Sequence, residues 1–120
     1  MTQYFENRLT QLKERQEELL TRKNIAEFSV NGIYERYRYP VLTGAHTPLH
    51  WRFDLSPERN PHLLERIGVN AAFNAGAMKF KGKYVLMARV EGWDRKSYFA
   101  VAESPNGVDN FRFWDRPVVI

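Results

Sequence analysis

The chain has 120 residues, 43% of them hydrophobic and 14% aromatic, with 18 basic against 14 acidic side chains, a net charge of +4 and no cysteine. That length holds one domain, the composition is globular rather than disordered, and the lack of cysteine excludes a disulfide framework and a thiolate metal site. No apolar run nears the roughly 18 residues of a membrane span, and the charged start "MTQYFENRLTQLKERQ" lacks the apolar core of a signal peptide, so a cytoplasmic location is expected.

Residues 1–24 form the first unit. Phe5, Leu9, Leu12, Leu19 and Leu20 fall near a 3.6-residue period and predict a helix over 3–23, with Thr2 as its cap. Lys13 with Glu17, and Glu18 with Arg22, place opposite charges four residues apart. The leucine seam is narrow and Gln16 interrupts it. Such a seam suits docking, either on a second subunit to give a homo-oligomer or on the same chain.

Residues 25–68 are an irregular arm. "FSVNGIYERYRYPVL" sets an Asn31-Gly32 turn between β-prone segments, a hairpin signal. A long connection follows, "TGAHTPLHWRFDLSPERNPH", holding all three histidines. "SPERNPHLLERIG" predicts a short helical turn ended by Gly68. His46, His50 and His62 lack the spacing of a zinc motif, and no metal is expected. "YERYRYP" interleaves arginine with tyrosine, as nucleic-acid surfaces do, but on a period of two it is equally an ordinary strand. Neither nucleic acid nor membrane is an expected partner.

Residues 69–120 predict four strands, near 71–80, 83–91, 97–103 and 111–114, joined by turns at Lys81-Gly82, "GWDRK" and "SPNGVDN". A four-stranded up-and-down meander matches one blade of a β-propeller. The second strand sets Tyr84, Leu86, Ala88 and Val90 on one face and Val85 and Met87 on the other, so both faces call for cover. The expectation is a mainly β fold with an N-terminal helix, the start of a longer propeller. A compact α+β domain, its helix covering the sheet, is the alternative.

Two polar residues interrupt these apolar strands. Asn74 alternates with Ala72, Gly76, Met78 and Phe80 beside small neighbours that admit close approach. Its amide suits either a sugar hydroxyl or a nearby loop. Arg89, in line with Val85 and Met87, needs a carboxylate such as Glu91, several carbonyls or a polar ligand if buried. In the following loop Trp93 can stack on a sugar ring, with Asp94, Arg95 and Lys96 beside it, or all can face solvent.

The segment "NAAFNAGAMKFKGKYVLMARVEGWDRKSYFAVAESPNGVDNFRFW" resembles the first blade of the mannoside phosphorylases, the five-bladed propellers of glycoside hydrolase family 130. "HTPLHWRFDL" and the N-terminal helix resemble the mannosyl-glucose subgroup, so the likeness runs through nearly the whole chain. The resemblance implies a blade of an incomplete propeller and an inverting phosphorolysis of 4-O-β-D-mannosyl-D-glucose to α-D-mannose 1-phosphate and glucose. Inorganic phosphate is then a co-substrate, with no cofactor. It implies sugar contacts from Asn74 and Arg89, with Asp94 and Arg95 nearer the channel mouth, and a general-acid Asp beyond Ile120. Ala75 departs from the Pro of many family members. A non-enzymatic carbohydrate-binding or assembly module is the other expectation.

Overall fold

The computed structural model describes residues 2–30, 32, 34–65, 69–92 and 96–118, and for 28–30, 70, 74 and 75 the backbone alone. Helix α1 spans Gln3–Thr21, and the Thr2 hydroxyl accepts from the Phe5 N–H at 3.2 Å, satisfying one of the open donors of the first turn. Its seam docks on its own chain. Phe5 is buried with Leu49, Phe53 and Leu63, and Leu9, Leu12 and Leu55 pack against them. Polar groups fasten the same face: Arg8 Nε donates to the Leu63 carbonyl at 3.0 Å, and the Gln16 amide donates to the Thr47 carbonyl. Gln16, which breaks the leucine period, thus marks where the helix meets a loop instead of a core.

Strands β1 (Ala26–Val30) and β2 (Tyr34–Tyr37) form the expected antiparallel hairpin. A 3₁₀ turn follows at Gly44–His46 and a short helix α2 at Leu49–Arg52. The helical turn expected within residues 56–67 is present as a single turn, the Asn60 N–H donating to the Ser56 carbonyl at 2.8 Å, and the short helix lies before it. Pro57 and Pro61 punctuate turns, whereas Pro48, with no N–H to lose, starts α2 one segment earlier. Gly68, expected to end that turn, lies outside the described residues. Trp51 of α2 anchors the arm to the sheet. Its ring meets Tyr98 at 5.8 Å and Phe113 at 5.6 Å, and its indole N–H donates to the Asp115 carbonyl at 2.9 Å.

The meander is present: β3 (Val69–Phe80), β4 (Lys83–Gly92), β5 (Ser97–Ser104) and β6 (Arg112–Phe113) form one antiparallel sheet in chain order. Lys81 and Gly82 both take positive φ, 51° and 78°, the pair that a two-residue turn between right-twisted strands requires. Among the described residues one face of the sheet is largely covered, and on the other Val101 is buried but its large neighbours are not. Ala88, Val90, Ala100 and Ala102 are buried on the covered face, while on the opposite face Met78, Phe80, Met87, Phe73 and Phe99 stay exposed. Burial on both faces was expected from the sequence. The described elements, α1 and the arm, reach one side only.

Asn24 ties the helix end, the arm and the β5–β6 loop together. Its N–H donates to Asp109 Oδ2 at 2.9 Å, and its amide donates to the carbonyls of Tyr39 and Val108 at 2.9 and 2.8 Å. Its Oδ1 accepts from the N–H groups of Ile25 and Tyr39. Asp109 sits in a loop organised by Ser104, which is buried and donates from Oγ to the Asp109 carbonyl at 2.6 Å. These bonds predict that Asn24→Ala destabilises the fold by about 2–4 kcal/mol, since it strands several part-buried partners at once. Asn24→Asp should be worse, because it replaces the donor to both carbonyls with a charge near Asp109. Urea-unfolding midpoints of the two variants check the order.

Candidate functional site

An irregularity in the meander parts Asn74 from Arg89. From the Lys81-Gly82 turn the ladder runs Phe80–Lys83, Lys79–Tyr84, Met78–Val85, Ala77–Leu86 and Gly76–Met87. An unbroken ladder would next bring residue 74 opposite Arg89. Instead a β-bulge between Asn74 and Gly76 shifts the register, so Asn74 pairs with Ala88 and Phe73 with Arg89. The strict alternation expected for Ala72, Asn74, Gly76, Met78 and Phe80 is therefore broken at Ala75. The side chain of Asn74 is outside the described atoms, as are residues Trp93, Asp94 and Arg95 altogether.

Arg89 is exposed, not buried. It lies on the uncovered face, in a row across three strands: Phe73 on β3, Arg89 on β4 and Phe99 on β5. Its guanidinium carbon sits 4.8 Å from the centroid of the Phe73 ring, a cation–π contact. Among the described residues no carboxylate pairs with it, Glu91 included. Its donors remain directed to whatever approaches this face. Phe73, which the sequence reading passed over as an apolar strand residue, is the side chain that holds it.

Two concavities flank the sheet. A cavity of about 140 Å³ lies on the covered side between Pro40, Val41 and Leu42 of the arm and Ala72, Phe73, Leu86 and Ala88 of β3 and β4. It abuts the rung on which Asn74 stands. A broader groove of about 440 Å³ crosses the open face between Met78, Phe80, Val85, Val101 and Trp114. Its lining is almost wholly apolar, rimmed by the Lys83–Glu103 ion pair at 3.0 Å. Such a surface suits another packed layer better than a sugar.

The histidines are dispersed and structural. His46 is buried, and its Nδ1 accepts the Thr43 N–H at 2.9 Å, which fixes it as an acceptor at the start of the 3₁₀ turn. His50 Nε2 lies 3.1 Å from the Asp115 carbonyl. His62 stacks edge-on to Tyr4 at 5.9 Å. No group of metal-ligating side chains comes together among the described residues.

No protein-family model matches the chain. Similarity to a curated protein, however, covers almost all of it, and that protein is a sugar phosphorylase. It is the 4-O-beta-D-mannosyl-D-glucose phosphorylase of Bacteroides fragilis, 60% identical over 116 residues. The match takes in 97% of this chain and 30% of the relative, so the chain spans under a third of the relative's length.

His46 makes the fold sensitive to pH. Burial, with the Arg22 charge behind it, lowers its pKa from 6.5 to about 4. Between those values the unfolded chain binds a proton that the folded chain refuses. Stability is therefore full above pH 6.5 and declines as pH falls toward 4, by up to about 3 kcal/mol. Subtracting the pH profile of a His46→Asn variant isolates this share from that of the carboxylates. The difference should lie in that window, and a wild-type profile parallel to the variant's would refute it.

Proposed function

We propose that this chain is the N-terminal part of an inverting phosphorylase that cleaves 4-O-β-D-mannosyl-D-glucose with inorganic phosphate. The observation that carries this reading is the 60% identity to a protein of that name across nearly every residue of the chain. The open apolar face of the β3–β6 sheet supports the finer fold assignment. The sheet is the first blade of a propeller, and its exposed Met78, Phe80, Met87 and Trp114 are covered by a neighbouring blade in the longer protein.

In this reading a phosphate oxygen attacks the anomeric carbon of the mannosyl unit as the bond to glucose O4 breaks. The displacement is single, so the β-mannoside yields α-mannose 1-phosphate. A carboxylic acid protonates the departing O4. Phosphate, already anionic, takes the place of the water that an inverting hydrolase must activate, and no cofactor enters. The acid is an Asp beyond Ile120, and most of the phosphate site lies there too. Arg89 supplies part of the wall around the mannosyl unit, with Asp94 and Arg95 nearer the mouth, and Asn74, which the bulge pairs with Ala88 off the Arg89 rung, is a separate candidate contact. The exposed, carboxylate-free guanidinium of Arg89 suits that role, because its N–H edge is available to vicinal hydroxyls.

Self-association through α1 is not part of the proposal, since its apolar seam is occupied by Leu49, Phe53 and Leu63 of the same chain. No helix among the described residues is long and apolar enough to cross a membrane. A cytoplasmic enzyme is the reading that fits the cysteine-free composition.

Joining this chain to the C-terminal portion of the Bacteroides fragilis relative that it does not span tests the assignment. The fusion should release mannose 1-phosphate from mannosyl-glucose only when phosphate is present, and the 120-residue chain alone should not. Arg89→Ala in the fusion should weaken use of the disaccharide roughly 10- to 100-fold, the scale of lost hydrogen bonds from a charged donor. Saturable sugar binding by the chain alone, with an inactive fusion, would instead identify a carbohydrate-binding module.

A further inference from the structure

Among the described residues several cationic side chains pair with a carboxylate, and others lie over aromatic rings, as Arg22 does over Tyr39. Arg38 pairs with Glu27, Arg59 with Asp54, Lys83 with Glu103 and Arg112 with Glu17. Arg89 is of the second kind. It is held over the Phe73 ring, and its rung continues to Phe99 on β5. Both phenyl rings are partly exposed, at 45% and 37%, so neither serves chiefly as core.

The bulge is what makes this arrangement. Without it, residue 74 would stand opposite Arg89, and Phe73 would move to the other face of the pleat. One inserted residue replaces a polar neighbour with an aromatic platform. A guanidinium in water samples many rotamers, and a face-on ring restricts them while leaving the in-plane N–H groups unblocked. A carboxylate at the same place would restrict Arg89 as well, but it would occupy those donors.

We propose that Phe73 is the positioning residue for Arg89. Its ring fixes the plane of the guanidinium so that the N–H edge is presented to a polyhydroxylated ligand, and the Asn74–Gly76 bulge exists to bring the ring there. This rests on the reading of Arg89 as a sugar contact and names the residue through which that contact is made. Phe73 itself need not touch the sugar.

The test pairs a structural readout with a kinetic one. In the 120-residue chain, the side-chain Nε–H signal of Arg89, assigned by its loss in Arg89→Lys, should carry an aromatic ring-current displacement. Phe73→Leu should abolish the displacement and Phe73→Tyr should keep it. In the fusion enzyme, Phe73→Leu should raise KM for mannosyl-glucose roughly three- to tenfold with kcat little changed. Phe73→Tyr should restore it, and Phe73→Leu should have no further effect in an Arg89→Ala background. A Phe73→Leu variant that leaves both the resonance and KM unmoved, while Arg89→Ala still weakens substrate use, overturns the positioning role and leaves the sugar site standing. If Arg89→Ala itself leaves KM unchanged, the sugar-contact reading falls and takes the positioning role with it, whatever the resonance shows.

Discussion

A four-stranded antiparallel sheet has two faces, and one helix with one irregular arm can shield only one of them. The covered face carries Ala88, Val90, Ala100 and Ala102, small or β-branched residues that let α2 and the arm come close. The opposite face carries the large side chains, Phe73, Met78, Phe80, Met87 and Phe99. Large apolar groups gain most from removal from water, at about 25 cal/mol per Å². Among the described residues these groups stay in contact with water, and the apolar groove of Met78, Phe80, Val85, Val101 and Trp114 lies on their side. The location of the groove follows from the same asymmetry, and so does the exposure of Arg89.

On the covered side, polar contacts set the geometry as much as apolar packing does. The core cluster around Leu63 is small, and its residues come from α1 and the arm, not from the sheet. The link between that cluster and the sheet runs through Trp51 against Tyr98 and Phe113, through the Glu17–Arg112 pair at 2.8 Å, and through Asn24 with Asp109. The Glu17 carboxyl is held below its usual range by the hydrogen bond from Arg112, and Asp109 by those from Asn106 and the Asn24 N–H. Glu17 and Arg112 are both exposed, so their contact registers the helix on the sheet more than it stabilises it. Asn24 is different, because its side chain bonds backbone groups of both the arm and the β5–β6 loop.

The regular parts of this architecture were legible because each rests on local chemistry. A cap at Thr2 and positive-φ residues at Lys81 and Gly82 act within a few residues of themselves, whereas Glu17, expected beside Lys13, pairs with the distant Arg112. The four meander strands and their order follow from period and turns alone. What could not be read depends on contacts distant in sequence. Pro48, not the later prolines, begins a helix because Leu49 has a core to enter. Asn24 looks like any polar residue after a helix, and its partners lie 15 and 84 or 85 positions away. The bulge is the most consequential omission. A run of Ala, Gly and Ala has no side chain whose burial would report a register shift, so the period of two continues past it on paper.

That omission bears directly on the chemistry of the site. With strict alternation, an amide and a guanidinium face each other across two strands and satisfy one another, and little is left for a ligand. With the bulge, the guanidinium lies against a ring that takes none of its hydrogen bonds, and residue 75 is the extra residue with no opposite number in the ladder. A sugar presents hydroxyls around its edge and a weakly apolar face, so it is held best by donors whose direction is set beforehand and which have not been neutralised by a carboxylate. Among the described residues the irregular strand gives Arg89 an aromatic contact with Phe73 where strict alternation would give it an amide.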